Sequence, residues 1–179
     1  VVLAHHVVRV PLADPRRYVA WTGGVMNRSQ FLGRLDRAWQ DFLSACDGLS
    51  EAELLAGGVT GNWSVRDLIA HVNIWEEETL HHLPTIKAGG RTPKYSDQYG
   101  GIDAFNAQAM AERRDLPLAE VLRRRDETHR RLLDYLQEQP EELFAQENRF
   151  RRRLRYDTYS HYPEHTRAIR AWREQRSIV

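Results

Sequence analysis

Apolar residues recur every three or four positions in four separate stretches of this chain, and no stretch alternates over the length of a strand. That pattern supports helices and little else. In the first stretch Leu32, Leu35, Trp39, Phe42, Leu43 and Cys46 share one face, which predicts a helix over residues 27–46. Ser50 with Glu53 forms a capping box that opens a short helical turn, after which Gly57, Gly58 and Gly61 break the chain. Ser64 with Asp67 is a second capping box. It predicts a helix beginning just after Trp63, with Val65, Leu68, Ile69, Val72, Thr79 and Leu83 on one face and an end before Pro84.

The stretch IKAGGRTPKYSDQYGG has no period and reads as a long crossover leading to a short helical segment over 105–112. Leu116, Pro117 and Leu118 open a third long helix with Val121, Leu122, Leu132, Leu133 and Leu136 on its apolar stripe and Pro140 just beyond its end. ENRFRRRLRYD reads as a basic connection. The last helix then starts near Tyr159 or Ser160, where Pro163 falls in the first turn and needs no amide hydrogen, and carries His165, Ile169 and Trp172 on one stripe. The expected fold is all-α, a four-helix bundle with long connections and short extra helices. Residues 1–26 contain Pro11, Pro15, Gly23 and Gly24 without a period and read as a poorly ordered leader, with Met26 a candidate natural start. Residues 27–179 read as the single bundle domain.

A length of 179 residues suits one core, and 41% hydrophobic residues can fill it. Lys and Arg number 26 against 25 Asp and Glu, a net charge of +1, which disfavours a nucleic-acid or anionic-lipid binder that relies on bulk attraction. The arginines at 123–125, 130–131 and 151–153 have acidic neighbours and read as a solvated face. The single cysteine, Cys46, excludes an internal disulfide framework and a multi-cysteine metal site, and its place on an apolar stripe predicts an inert buried thiol. A reducing, cytoplasmic setting is expected, with no membrane span, since no apolar run approaches the roughly 18 residues a spanning helix needs. Pairing of two chains through an exposed apolar face stays open.

Eight histidines stand out against this background. His161 and His165 are four residues apart, stacked on one helix face about 6 Å apart along the axis, so two imidazoles can converge on one ion. A third ligand must come from another helix, from among His71, His81, His82 and His129. His71 is the best placed, beside the apolar face of its helix and flanked by Asp67, Trp75 and Glu78; His82 lies about 16 Å further along and cannot share the ion. His5, His6, His81, His82 and His129 read as leader, surface or core-edge residues, His129 with its ring half buried. HYPEH also fits the inverted zinc-peptidase pattern, but Pro163 lies inside it and too little chain follows for the rest of such a site. Trp75 is a core aromatic or a pocket wall, and Glu78 and Glu164 are candidate proton-transfer groups.

GNWSVRDLIAHVNIWEEE, with Trp63, Ser64, Asp67, His71 and Trp75, resembles the second helix of DinB/YfiT-like four-helix bundle proteins, and YSHYPEHTRAIRAW resembles their last helix. The resemblance covers residues 27–176, and MNRSQFLGRL, SVRDLIAHVNIWE and SHYPEH before IRAW look closest to the ClbS/DfsB group. It implies a divalent metal (zinc, nickel, manganese or iron) held by His71, His161 and His165, and a small-molecule substrate. It also implies a hydrolase or a transferase of a low-molecular-weight thiol, acting in detoxification or stress protection. The ClbS/DfsB group, which opens the cyclopropane of a genotoxin with water, implies the alternative of a metal-free self-resistance protein that binds a small molecule.

Overall fold

A computed structural model of the chain describes residues 26–177. Apart from Met26, the expected leader, with His5 and His6, lies outside the described residues. The described chain is helical, its one β-bridge joining Thr60 to Trp63. Its elements are α1 (Arg28–Cys46), α2 (Glu51–Leu55), α3 (Val65–Lys87), α4 (Tyr95–Tyr99), α5 (Ile102–Ala111), α6 (Leu118–Gln137), α7 (Glu142–Ala145), α8 (Arg149–Asp157) and α9 (Tyr162–Ser177). The long helices α1, α3, α6 and α9 make the bundle, α3 packing on α6 and α9, and α1 on α9.

Local capping starts three helices where the sequence places them. The side chains of Asn27, Ser50 and Ser64 each accept a bond from the amide of the third helical residue, and the side chains of Gln30, Glu53 and Asp67 in turn accept one from the cap's own amide. Two expectations fail for tertiary reasons. α3 does not stop before Pro84 but runs through it to Lys87, because Leu83 is buried in the core and Ile86 packs against it. Pro84 itself faces solvent. The basic stretch is no connection: residues 149–157 form α8, capped by Asn148, with Phe150 and Leu154 buried against the bundle. Nor is its arginine run uniformly solvated, since Arg151 is buried among them.

The core has two large apolar clusters and a smaller one of Ile74, Trp75, Phe105 and Ala109. One of the large clusters gathers Trp39, Phe42, Leu68, Ile69, Val72, Val121, Ile169 and Trp172; the other gathers Met26, Phe31, Leu35, Leu83, Leu132, Leu136, Phe150 and Leu154. Between them lies a polar layer. Glu76, with no exposed surface, accepts hydrogen bonds from the Tyr162 hydroxyl of α9 and, at 2.7 Å, from His129 Nδ1 of α6. His129 is buried rather than half buried, and its ring stacks on Trp39 with centroids 3.8 Å apart. His82 is also buried, bonded to Glu78. Cys46 is the expected inert thiol: burial, against the opposing charges of Arg125 and Arg173, pushes it up to about 11.

Glu76 ties three of the four long helices together, so its removal strands two buried polar partners. Glu76→Ala is expected to cost about 3–5 kcal/mol in the denaturant-unfolding free energy. Glu76→Gln, which keeps an acceptor, is expected to cost less.

Candidate metal centre and cavity

His71 sits two turns into α3, on the side that turns toward α9. His161 precedes α9, in the turn that Thr158 closes by accepting the amides of His161 and Tyr162. His165 follows one helical turn later. The three rings meet: His161 Nε2 lies 3.1 Å from His71 Nε2 and 2.8 Å from His165 Nε2. Among the described residues this is the only group of three or more ligand-type side chains whose ligand atoms come together, all within 4.8 Å of one another.

Burial keeps these rings neutral. It lowers His71 and His165 well below the usual imidazole value, with repulsion from the neighbouring histidines adding to the effect. It lowers His161 to about 4 against a backbone hydrogen bond with Asp157. A neutral imidazole has one ring nitrogen with a free lone pair, the form that binds a metal. His71 Nδ1 is buried without a hydrogen-bond partner, so Nε2 is the atom of that ring with neighbours to engage. Three converging Nε2 atoms with no carboxylate among them fit a borderline divalent cation such as zinc, nickel, iron or manganese better than calcium or magnesium.

The rings open onto a cavity of about 970 Å³. Trp63 and Trp75 stand beside His71, with ring centroids 5.2 and 6.3 Å from it. Trp75 is thus both a wall and a core residue, packed on Phe105 of α5. Of the two candidate carboxylates, Glu164 lines the cavity between His161 and His165, is half buried, and is raised by that burial against the pull of Arg167. Glu78 is not brought to the histidines. It accepts from Tyr95 Oη at 2.5 Å and His82 Nε2 at 3.2 Å, and Arg153 lies 3.9 Å away.

Two features of the site escaped the sequence reading. Asp157, four residues before His161, is buried, paired with Arg153 and bonded to Thr79 at 2.8 Å. Burial pushes it up to about 6 against both partners. The second is α8 as a cavity wall, with Arg149, Arg152, Arg153 and Tyr156 all lining the space. Their spacing of three, four and seven residues marks one helix face and is visible in RFRRRLRY, once that stretch is read as helical.

No helix among the described residues is long and apolar enough to cross a membrane. Two solved structures share the fold. One is an uncharacterised protein from Escherichia coli UTI89, with a TM-score of 0.70 at 13% identity, covering 86% of this chain and 96% of that one. The other is the colibactin self-resistance protein ClbS in complex with double-stranded DNA, with a TM-score of 0.66 at 13% identity, covering 80% of this chain and 93% of that one. No curated protein matches. The sequence model of the DinB superfamily matches residues 34–172, and that span includes all three clustered histidines. On this match the chain belongs to the DinB superfamily.

Proposed function

We propose that this protein is a metal-dependent enzyme acting on a small molecule in its cavity, with His71, His161 and His165 as the metal ligands. The observation that carries this reading is the meeting of three neutral Nε2 atoms, those of buried His71 and His165 and of partly buried His161, at the wall of a cavity large enough for a substrate. A divalent ion held there supplies Lewis acidity that makes a water or a low-molecular-weight thiol nucleophilic near neutral pH, which covers both a hydrolase and a thiol transferase.

The chain's own residues do the rest. The histidines are already neutral, so they bind without first losing a proton. Trp63 and Trp75 shield the site from bulk water and offer flat faces to a substrate. In this reading Glu164, which lines the same cavity and whose proton affinity burial has raised, takes up the proton.

A second reading is favoured by the aromatic lining of the cavity and by the fold shared with ClbS: a self-resistance protein that binds its small molecule without a metal. Elemental analysis of untagged protein separates the two. The enzyme reading expects about one equivalent of a transition metal per chain, lost in His165→Ala while the helical circular dichroism is kept. Trace metal that His165→Ala leaves unchanged supports the metal-free reading.

The lowered histidines also set a pH dependence for the ion-free protein. Between the folded value of about 4 for His161 and the ordinary 6.5, the unfolded chain binds protons that the folded chain does not, so stability falls as pH falls through this window. His71 and His165 act in the same direction, each by up to about 1.4 kcal/mol per pH unit. The raised Asp157 and Glu164 act in the opposite direction, against these three histidines and the lowered His82. Chelator-treated protein is expected to unfold at lower denaturant at pH 5 than at pH 7, and His161→Phe to flatten that difference.

A further inference from the structure

The α8 wall of the cavity carries a chemistry that the three histidines do not use. Phe150 and Leu154 anchor α8 to the core, which leaves Arg149, Arg152, Arg153 and Tyr156 on the face toward the cavity. Arg153 is spent on structure: it pairs with Asp157, bonds Tyr95 Oη at 2.8 Å, and lies 5.9 Å from the Trp75 ring centroid. Arg149 and Arg152 are not neutralised in this way. Arg149 donates to the carbonyls of Gly90 and Gly89 at 2.8 and 2.9 Å, which fixes its position without cancelling its charge. Arg152 has only a loose 3.9 Å contact with Glu147, which Arg155 shares at 3.3 Å.

The same two glycine carbonyls bring the loop after α3 against α8, and the next residue, Arg91, also lines the cavity. Arg91 has no hydrogen bond or ion pair among the described residues. Two chain segments, joined by the bonds of Arg149 to Gly89 and Gly90, thus supply three arginines to the lining. Of the carboxylates of the lining, Asp157 is paired with Arg153, while Asp103 and Glu164 come from α5 and α9 and not from the segments that carry these arginines. Along α8, Arg149 stands about 10 Å before Tyr156, so this cationic region begins well short of the turn that carries His161. Between the two regions the wall is aromatic, with Trp75 and Tyr95.

We propose that the cavity takes an organic anion, its phosphate or carboxylate head held by Arg91, Arg149 and Arg152 and its flat apolar body lying along Trp75 toward the histidines. Guanidinium groups match both heads through paired hydrogen bonds, and aromatic walls suit a planar body. A volume of about 970 Å³ is at the upper end for a small-molecule pocket and suits a free small anion. The proposal rests on the reading of this cavity as a small-molecule site, but not on a metal being bound.

The test is calorimetric titration of the full chain, as purified and after chelation, with 1-naphthyl phosphate, 1-naphthoate and uncharged 1-naphthol. At least one of the two anions is expected to bind about ten-fold tighter than naphthol in both states, and the stronger one identifies the head. Arg149→Gln with Arg152→Gln is expected to erase that preference. Arg91→Gln, which loses no described partner, is expected to weaken it with unchanged thermal unfolding. Naphthol binding as tightly as both anions, or an anion preference that survives all three substitutions, overturns the proposal. So does saturable, steeply salt-dependent binding of duplex DNA without binding of either anion, which assigns the arginines to a nucleic-acid backbone. Absence of metal from the purified protein defeats the enzyme reading alone, because the anion preference is also read after chelation.

Discussion

The structure depends on the burial of α3 on nearly every side. From Val65 to Glu76 every residue of this helix except Asp67 is buried, polar ones included, and Thr79, His82 and Leu83 continue the burial. A polar group withdrawn from water costs several kcal/mol unless it finds a partner, about 2–7 kcal/mol in transfer experiments. The buried polar side chains of α3 therefore recruit several other parts of the molecule. Arg66 donates to the carbonyls of Arg113, Arg114 and Leu116, Asn73 to that of Arg124, and Thr79 to the carboxylate of Asp157. Glu76 engages α6 and α9 together.

The site follows from the same constraint. Tyr162 is pinned to Glu76 from one side and packed among Trp39 and Phe42 on the other, with ring centroids 5.4 and 6.3 Å away, and this fixes where α9 begins. Its neighbour His161 is thereby delivered to His71, and the helical repeat brings His165 to the same point. Thr79 and Arg153 hold Asp157 at the end of α8, on the other side of the turn. The three imidazoles thus meet in a position set by neighbours that bear on the bundle's stability, and loss of Glu76 is expected to loosen the histidines as well as the core. The cavity wall is built likewise: Arg153 is locked into the bundle by Asp157, while Arg149 on the same face is fixed by the Gly89 and Gly90 carbonyls.

What the sequence makes legible here is what is local. The capping boxes at Ser50 and Ser64 and the apolar stripes of α1, α3, α6 and α9 depend on contacts a few residues long, and they appear where the pattern places them. The i, i+4 spacing of His161 and His165 is of the same kind. Long-range packing decides the rest. Pro84 reads as a stop because a proline removes a helical hydrogen bond, yet burial of Leu83 and packing of Ile86 carry the helix past it. α8 offers only Phe150 and Leu154 as apolar signals among five arginines, and its helix is secured by docking on α3. His129 reads as a core-edge residue because its partner, Glu76, lies 53 positions earlier in the chain. The meeting of His71 with the other two histidines is implied by family resemblance and then found in the geometry, since periodicity alone says nothing about which helices face each other.

The proposal that matters most for the chemistry is a metal held by the three converging Nε2 atoms. Anomalous diffraction from crystals of the full chain grown with nickel or zinc, recorded above and below the metal's absorption edge, tests it directly. The account predicts one strong anomalous peak between His71, His161 and His165, absent in His165→Ala crystals prepared in the same way. Peaks confined to surface histidines such as His81, with none at the three Nε2 atoms, would contradict it.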